Sequence, residues 1–163
     1  MRSFAVLLCF ALSQTAQSQA KPTSPEPPFT TRGAFFALSV PDIEASTRWY
    51  SEKFGLSVVM RVPKTNGAAV TALEGGGLIV ELMQRDDAMP LRAAAPSIGQ
   101  NYRIHGFVKA GLIVDDFDKT VRDLRARGVE IAIGPFAATA EQRANVIVRD
   151  NAGNLIQFFG AKR

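Results

Sequence analysis

Cysteine and histidine are nearly absent from this chain of 163 residues, which contains one of each, Cys9 and His105. Residues 1–20, which include Cys9, have the order of a secretory signal. Arg2 comes first, then a short apolar run, then small residues before a cleavage point after Ala20. Cleavage there removes the thiol, which excludes a disulfide framework and any cysteine nucleophile or metal ligand. Stability then depends on a hydrophobic core, which the rest of the chain is long enough to bury as one domain.

Long apolar runs are missing as well. The run from Phe4 to Leu12 is far shorter than the roughly 20 residues of a transmembrane helix. An uncleaved membrane anchor and a lipid-modified Cys9 are the alternatives for this segment, and Leu8 disfavours the second because a small residue normally precedes such a cysteine. The sequence therefore predicts a signal peptide at residues 1–20 and a proline-rich flexible leader at 21–32. It predicts a periplasmic or secreted protein with no membrane contact after cleavage.

Clustered charge and catalytic motifs are also lacking. The formal net charge of +4 falls to +3 (18 − 15) when Arg2 is removed with the signal. Lysine and arginine are scattered and form no stripe with interleaved aromatic residues, which argues against nucleic-acid binding. The sequence has no Ser-His-Asp triad, zinc motif or phosphate-binding glycine loop. We interpret "EGGG" at Glu74–Gly77 as a hairpin turn.

What the chain does contain is an internal repeat. "ALSVPDIEASTRWYSEKFGLSVV" begins at Ala37 and "GLIVDDFDKTVRDLRARGVEIAI" at Gly111, so that Asp42 aligns with Asp116. Each copy reads as a strand, an aspartate that caps a helix, a glycine that ends it, and three further strands. Coincidence is the alternative, and the same order of elements in both halves disfavours it. We predict an α+β domain at residues 33–161, with module one at 33–84, a linker at 85–106 and module two at 107–161.

These residues resemble the vicinal oxygen chelate superfamily, which includes glyoxalase I, extradiol dioxygenases and bleomycin resistance proteins. The resemblance also rests on "GLIVELM" and on "VIVRDNAGNLIQFFG", which is similar to a family ending of the type D-P-x-G-N-x-[IV]-E. It implies two βαβββ modules that form a curled mixed sheet around a central cleft. It also implies a homodimer, with modules paired within or across subunits.

Many members of this superfamily hold one divalent metal on four side chains, one from the first and one from the last strand of each module. Counting back from Asp42 and Asp116, and matching the last strands, carries those positions onto Phe35, Glu81, Lys109 and Gln157. Phenylalanine cannot bind a metal and lysine would repel one, so we predict no metal and no other cofactor. The spacing also predicts that His105 lies too far along its strand to replace a ligand.

The same positions suggest two other interpretations. As a hypothesis, Lys109 and Glu81 form an ion pair at the floor of the cleft with Gln157 beside it, and the alternative is that they are relics without a role. Strand alternation predicts further lining residues on the same faces, namely Met83, Ile113 and Phe159. These side chains either line an apolar cleft or fill the space inside the curled sheet and leave no cavity. His105 is either a residue of the rim or a contact at the cleft mouth.

The favoured function is an exported, metal-free protein that binds a small, partly apolar molecule, with an anionic or carbonyl oxygen facing Lys109. The alternative is an enzyme of the same superfamily (a lyase, isomerase or dioxygenase type) that uses Lys109 and Glu81, or an unrecognised metal site. Catalytic residues are not identified. A structural or partner-binding role is a third class, and the ligand cannot be named from the sequence.

Overall fold

A computed structural model describes residues 33–97, 103 and 105–161. The predicted signal peptide and leader lie outside these residues. Module one contains β1 Ala34–Ser39, α1 Ile43–Trp49, a π-helical turn Tyr50–Phe54, β2 Ser57–Thr65, β3 Ala68–Gly75 and β4 Leu78–Arg85. The linker includes a short helix, α2 Leu91–Ala94. Module two contains β5 Ala110–Val114, α3 Phe117–Ala126, β6 Glu130–Phe136, β7 Asn145–Arg149 and β8 Leu155–Gly160. Among the described residues, no helix has the length and apolar composition that crossing a bilayer requires.

Each module folds into one four-stranded mixed sheet, as the repeat predicts. The strand orders are β1-β4-β3-β2 and β5-β8-β7-β6, with no strand pair joining the two sheets within the described residues. The first and last strands of each module are parallel, and the other neighbours are antiparallel. The predicted α+β fold of two βαβββ modules is therefore confirmed.

The predicted helix caps form at the residues that the sequence indicates. The Asp42 carboxylate accepts a hydrogen bond from the Ala45 N–H at 2.9 Å, and Asp116 accepts one from the Lys119 N–H at 2.8 Å. Gly55 and Gly128 follow the helical segments with φ of 74° and 66°, a left-handed conformation that glycine adopts without steric cost. Both helices therefore begin and end at residues that the repeat singles out.

Buried apolar side chains of both modules form one core on the helix-bearing sides of the two sheets. The π-helical turn of module one reaches module two directly. The Phe54 ring lies 5.6 Å from the Phe158 ring, centroid to centroid, and the Tyr50 hydroxyl donates to Asp150 at 2.9 Å. We call this contact, together with the adjoining end of α3, the module seam. Because each sheet turns its helix-bearing face toward the other module, its opposite face points away from the shared core.

Candidate functional site: two open sheet faces

The outward face of each sheet carries the side chains that alternate with the buried ones. Open face one consists of Phe35, Ala37, Ser39, Met60, Val62, Val70, Ala72, Ile79, Glu81 and Met83, as the strand register aligns them. Open face two consists of Gly111, Ile113, Ile133, Phe136, Asn145, Ile147, Leu155, Gln157 and Phe159. The predicted lining residues Met83, Ile113 and Phe159 therefore lie on these two faces, together with β2, β3, β6 and β7 residues that strand alternation in the sequence did not identify.

Most side chains of both faces are apolar, and many are exposed in the single chain, whereas Ala72, Ile147 and Gln157 on the inner strands are only 6 to 8% exposed. Phe35 is 68% exposed and Ile113 is 66% exposed. Large exposed apolar side chains of the described residues concentrate on these faces: Phe35, Met60, Val62, Ile79, Ile113, Ile133 and Phe136. Contiguous apolar surface of this kind marks a binding or association site more often than ordinary solvent-facing surface.

Open face one brings Phe35 and Glu81 onto adjacent strands. In the parallel register Phe35 pairs with Ile79, and Ala37 pairs with Glu81. Phe35 and Glu81 therefore lie diagonally across the same face. Glu81 is half-buried, and it makes no side-chain hydrogen bond or ion pair with any residue of the described part of the chain. One carboxylate thus lies among apolar side chains without a cation beside it.

Open face two holds Gln157 at its centre and Lys109 at its edge. Gln157 pairs with Gly111 and is 6% exposed, and its side-chain amide donates to Asn145 Oδ1 at 3.1 Å. Lys109 immediately precedes β5 and is exposed, and it forms none of the ion pairs found among the described residues. Two residues before Gly111, it continues the same side of the strand.

The four positions therefore fall into two pairs within one chain. Phe35 and Glu81 lie on open face one, while Lys109 and Gln157 belong to open face two. Since the two faces point away from the shared core on opposite modules, the fold of a single chain separates the pairs. His105 lies outside both faces, at an exposed bend before β5 rather than within a strand.

A buried carboxylate joins the two modules, and no pattern in the sequence predicts this contact. Asp150 is 5% exposed and accepts hydrogen bonds from the Tyr50 hydroxyl, the Ala152 N–H, and the backbone and side-chain amides of Asn154, at 2.8 to 2.9 Å. The aspartate of the "DNAGN" turn thus holds its own turn and the first helix together. Burial, followed by the charge and hydrogen bond of Asp150, raises the pKa of Tyr50 far above its usual range.

Comparison with known proteins decides the family. The sequence model of the glyoxalase/bleomycin resistance protein/dioxygenase superfamily matches residues 33–158. The chain belongs to this superfamily. An uncharacterized protein of Mycolicibacterium smegmatis is 31% identical over 122 residues, which cover 75% of this chain and 87% of that protein.

Solved structures of this glyoxalase/bleomycin resistance superfamily share the fold. A glyoxylase/bleomycin resistance protein/dioxygenase domain from Frankia sp. EAN1pec aligns with a TM-score of 0.63 and 15% identity, over 83% of this chain and 94% of that one. TnmS3, an antibiotic binding protein from Streptomyces sp. CB03234, aligns with a TM-score of 0.58 and 20% identity, over 82% and 98% of the two chains. At these identities the likeness concerns the fold alone.

A divalent metal does not fit the residues that this superfamily member has at the four positions. Phe35 offers no donor atom and Lys109 offers a cation. Gln157 offers one neutral amide oxygen, since its side-chain N–H is the group bonded to Asn145, and Glu81 is the one carboxylate of the set. No group of three or more His, Cys, Asp or Glu side chains suited to a metal occurs within the residues that the structure describes.

Proposed function

We propose that this protein is an exported, metal-free homodimer that binds a small, partly apolar molecule between two β-sheets. In the dimer, open face one of each chain covers open face two of its partner and leaves a cleft between them. The observation that carries the proposal is the pair of uncovered apolar faces, each with isolated polar groups at the family's ligand positions. Ligand sites are commonly apolar clefts with a few such polar groups.

Pairing the faces across two chains also supplies a partner for Glu81. A carboxylate covered by a second apolar sheet is costly unless a cation accompanies it. Lys109 of the second chain belongs to the covering face and has no ion-pair partner in its own chain among the described residues. The predicted Glu81–Lys109 ion pair would then form between chains rather than within one.

The polar groups suggest the class of ligand. A lysine ammonium has three N–H donors, so Lys109 can form an ion pair with Glu81 and still donate a hydrogen bond to a ligand oxygen. The surrounding side chains are aromatic or aliphatic, which suits a flat apolar body. The fold-level likeness to TnmS3, an antibiotic binding protein, supports a small molecule of natural-product size without identifying it.

Binding is tested with anthraquinone-2-carboxylate, a flat apolar molecule with carbonyl and carboxylate oxygens. The mature protein (residues 21–163) is expected to bind this probe saturably in isothermal titration calorimetry. The Lys109→Met variant should bind it about tenfold or more weakly, because the variant loses a charge-assisted hydrogen bond and leaves Glu81 to repel the anion.

Lys119→Met is the matched control, because Lys119 is an exposed lysine that pairs with Asp123 and lies on helix α3 rather than on a strand of either open face. It should bind the probe as the wild type does. Equal affinities for all three proteins would contradict the role of Lys109. A wild type that binds neither this probe nor any member of a panel of flat aromatic acids would contradict the proposed cleft.

In the enzymatic alternative, Lys109 or Glu81 would transfer a proton to or from the bound molecule. Mass spectrometry of the recovered probe separates the two functions, since binding returns it unchanged and turnover does not.

Export and the metal-free state are tested on one sample of the protein, expressed with its own signal. The intact mass should correspond to a chain that begins at Lys21. After incubation with Zn²⁺, Ni²⁺, Mn²⁺ or Fe²⁺ and desalting, elemental analysis should find less than about one metal ion per ten chains. A full-length mass would contradict cleavage after Ala20, and about one bound ion per chain or per dimer would contradict the metal-free assignment.

A further inference from the structure

A cavity lies at the module seam, on the helix side of both sheets. Its volume is about 260 Å³, and both modules contribute to its walls. The walls are apolar and include the buried or half-buried side chains of Leu56, Leu78, Leu112, Leu124 and Phe158. The proposed dimer cleft uses the other side of the same strands, so this cavity is independent of it.

The size of the cavity is enough for a small molecule. Protein interiors are close-packed, with few voids larger than a water molecule. An apolar cavity of about 150 Å³ already accommodates benzene. The seam cavity has a larger volume but is open to solvent, so a bound aromatic ring would remain partly exposed.

The rim of the cavity carries two cations at the ends of the two helical segments. Lys53 Nζ donates to the Arg127 carbonyl at 2.5 Å, and Arg127 Nη1 donates to the Lys53 carbonyl at 3.2 Å. Neither side chain forms an ion pair with a carboxylate of the described residues. The rim carboxylate, Asp123, is paired with Lys119 at 2.6 Å. Two cations with unused N–H donors therefore face an apolar cavity.

We propose that the seam cavity binds a small apolar molecule with a single anionic group, such as an aromatic carboxylate. The ring lies among the leucine side chains and the carboxylate faces Lys53 and Arg127. The two crossed hydrogen bonds hold both cations at the rim, so a bound anion meets a preformed positive site.

Benzoate is the probe, and benzamide is its neutral counterpart of the same shape. In methyl-labelled mature protein, benzoate should shift the NMR signals of Leu112 and Val114 saturably, with a dissociation constant on the order of millimolar. Benzamide should bind at least about fivefold more weakly. The Lys53→Gln/Arg127→Gln double variant should lose this preference for the anion.

Adjacent residues of β5 provide the matched pair of variants, because Leu112 lines the seam cavity and Ile113 lies on open face two. Leu112→Trp should abolish benzoate binding, and Ile113→Trp should leave it unchanged. If Leu112→Trp does not fold, the methyl shifts of the wild type and the double variant decide the question. Shifts that rise without saturating, or equal binding of benzoate and benzamide, would overturn the proposal.

The proposed dimer cleft and the proposed seam site can be tested independently. Loss of anthraquinone-2-carboxylate binding in Ile113→Trp, with benzoate binding retained, supports two distinct sites. Loss of benzoate binding in Ile113→Trp would overturn the seam site, because that side chain faces the opposite side of the strand.

Discussion

Replacing Phe35 with glutamate should weaken self-association of this protein by at least about 100-fold and leave a folded monomer. In the single chain the Phe35 ring is 68% exposed and lies on open face one. In the proposed dimer it is covered by open face two of the partner. The variant would bury a second carboxylate close to Glu81, and Lys109 of the partner subunit can balance only one of the two. Light scattering coupled to size-exclusion chromatography, at micromolar concentrations, measures the change.

Met89→Glu is the control for this prediction. Met89 is 64% exposed, nearly as much as Phe35, but it lies in the segment between β4 and α2 and outside both open faces. The same substitution there should leave the dimer intact. A wild type that is monomeric at these concentrations would contradict the proposed cleft, as would an unchanged dimer in Phe35→Glu.

The Asp150→Ala variant should be destabilised by about 3–5 kcal/mol, the largest single-residue effect that we expect on folding. The variant leaves the buried Tyr50 hydroxyl and two turn N–H groups without their acceptor. It removes a contact between modules as well as the support of the β7–β8 turn. Urea unfolding at neutral pH, followed by circular dichroism, measures the free energy of unfolding.

Tyr50→Phe separates the inter-module hydrogen bond from the turn. This variant keeps the ring and its contacts with Trp49 and Phe54. It loses only the hydroxyl, which donates a hydrogen bond to Asp150. Because one buried carboxylate then loses one of its donors, we expect a cost of about 1–3 kcal/mol. Asp115→Ala, at an exposed carboxylate without a hydrogen bond within the described residues, should change stability by less than about 0.5 kcal/mol. Equal effects of Asp150→Ala and Asp115→Ala would contradict the structural role of Asp150.

The raised pKa of Tyr50 adds a pH dependence with a definite sign. Below about pH 10 the phenol is neutral in both states, so its contribution to stability is fully present. Above that pH the unfolded chain ionises while the folded chain does not, and stability falls by up to about 1.4 kcal/mol per pH unit. The difference between wild type and Tyr50→Phe should therefore shrink as pH rises above about 10. A difference that stays constant there would contradict the burial of a neutral Tyr50.

The elements of this fold follow from local chemistry that the sequence displays. Asp42 and Asp116 can cap helices because their side chains reach the backbone three residues on, and Gly55 and Gly128 can end them because glycine accepts a positive φ. Alternation along each strand likewise placed Met83 on the side of Glu81 and Ile113 on the side of Lys109, since that periodicity is a property of the extended backbone.

Contacts between distant residues were harder to predict. The Tyr50–Asp150 hydrogen bond joins residues 100 positions apart, and only the packing of the π-helical turn on module two brings them together. The Gln157–Asn145 hydrogen bond depends on the register of the β7–β8 hairpin. Neither hydrogen bond has a local signal in the sequence, because a buried polar side chain meets its partner only when the elements pack.

By itself, the sequence determined the two βαβββ modules, the family and the unsuitability of Phe35 and Lys109 as metal ligands, because these depend on residue type and short-range spacing. The tertiary structure decided which sides of the two sheets meet. Burial of the helix-bearing faces in one core turns the other faces outward, and so Glu81 and Lys109 lie on separate faces of the chain. The same packing opens a cavity at the module seam, which exists only where two elements distant in sequence fit together incompletely.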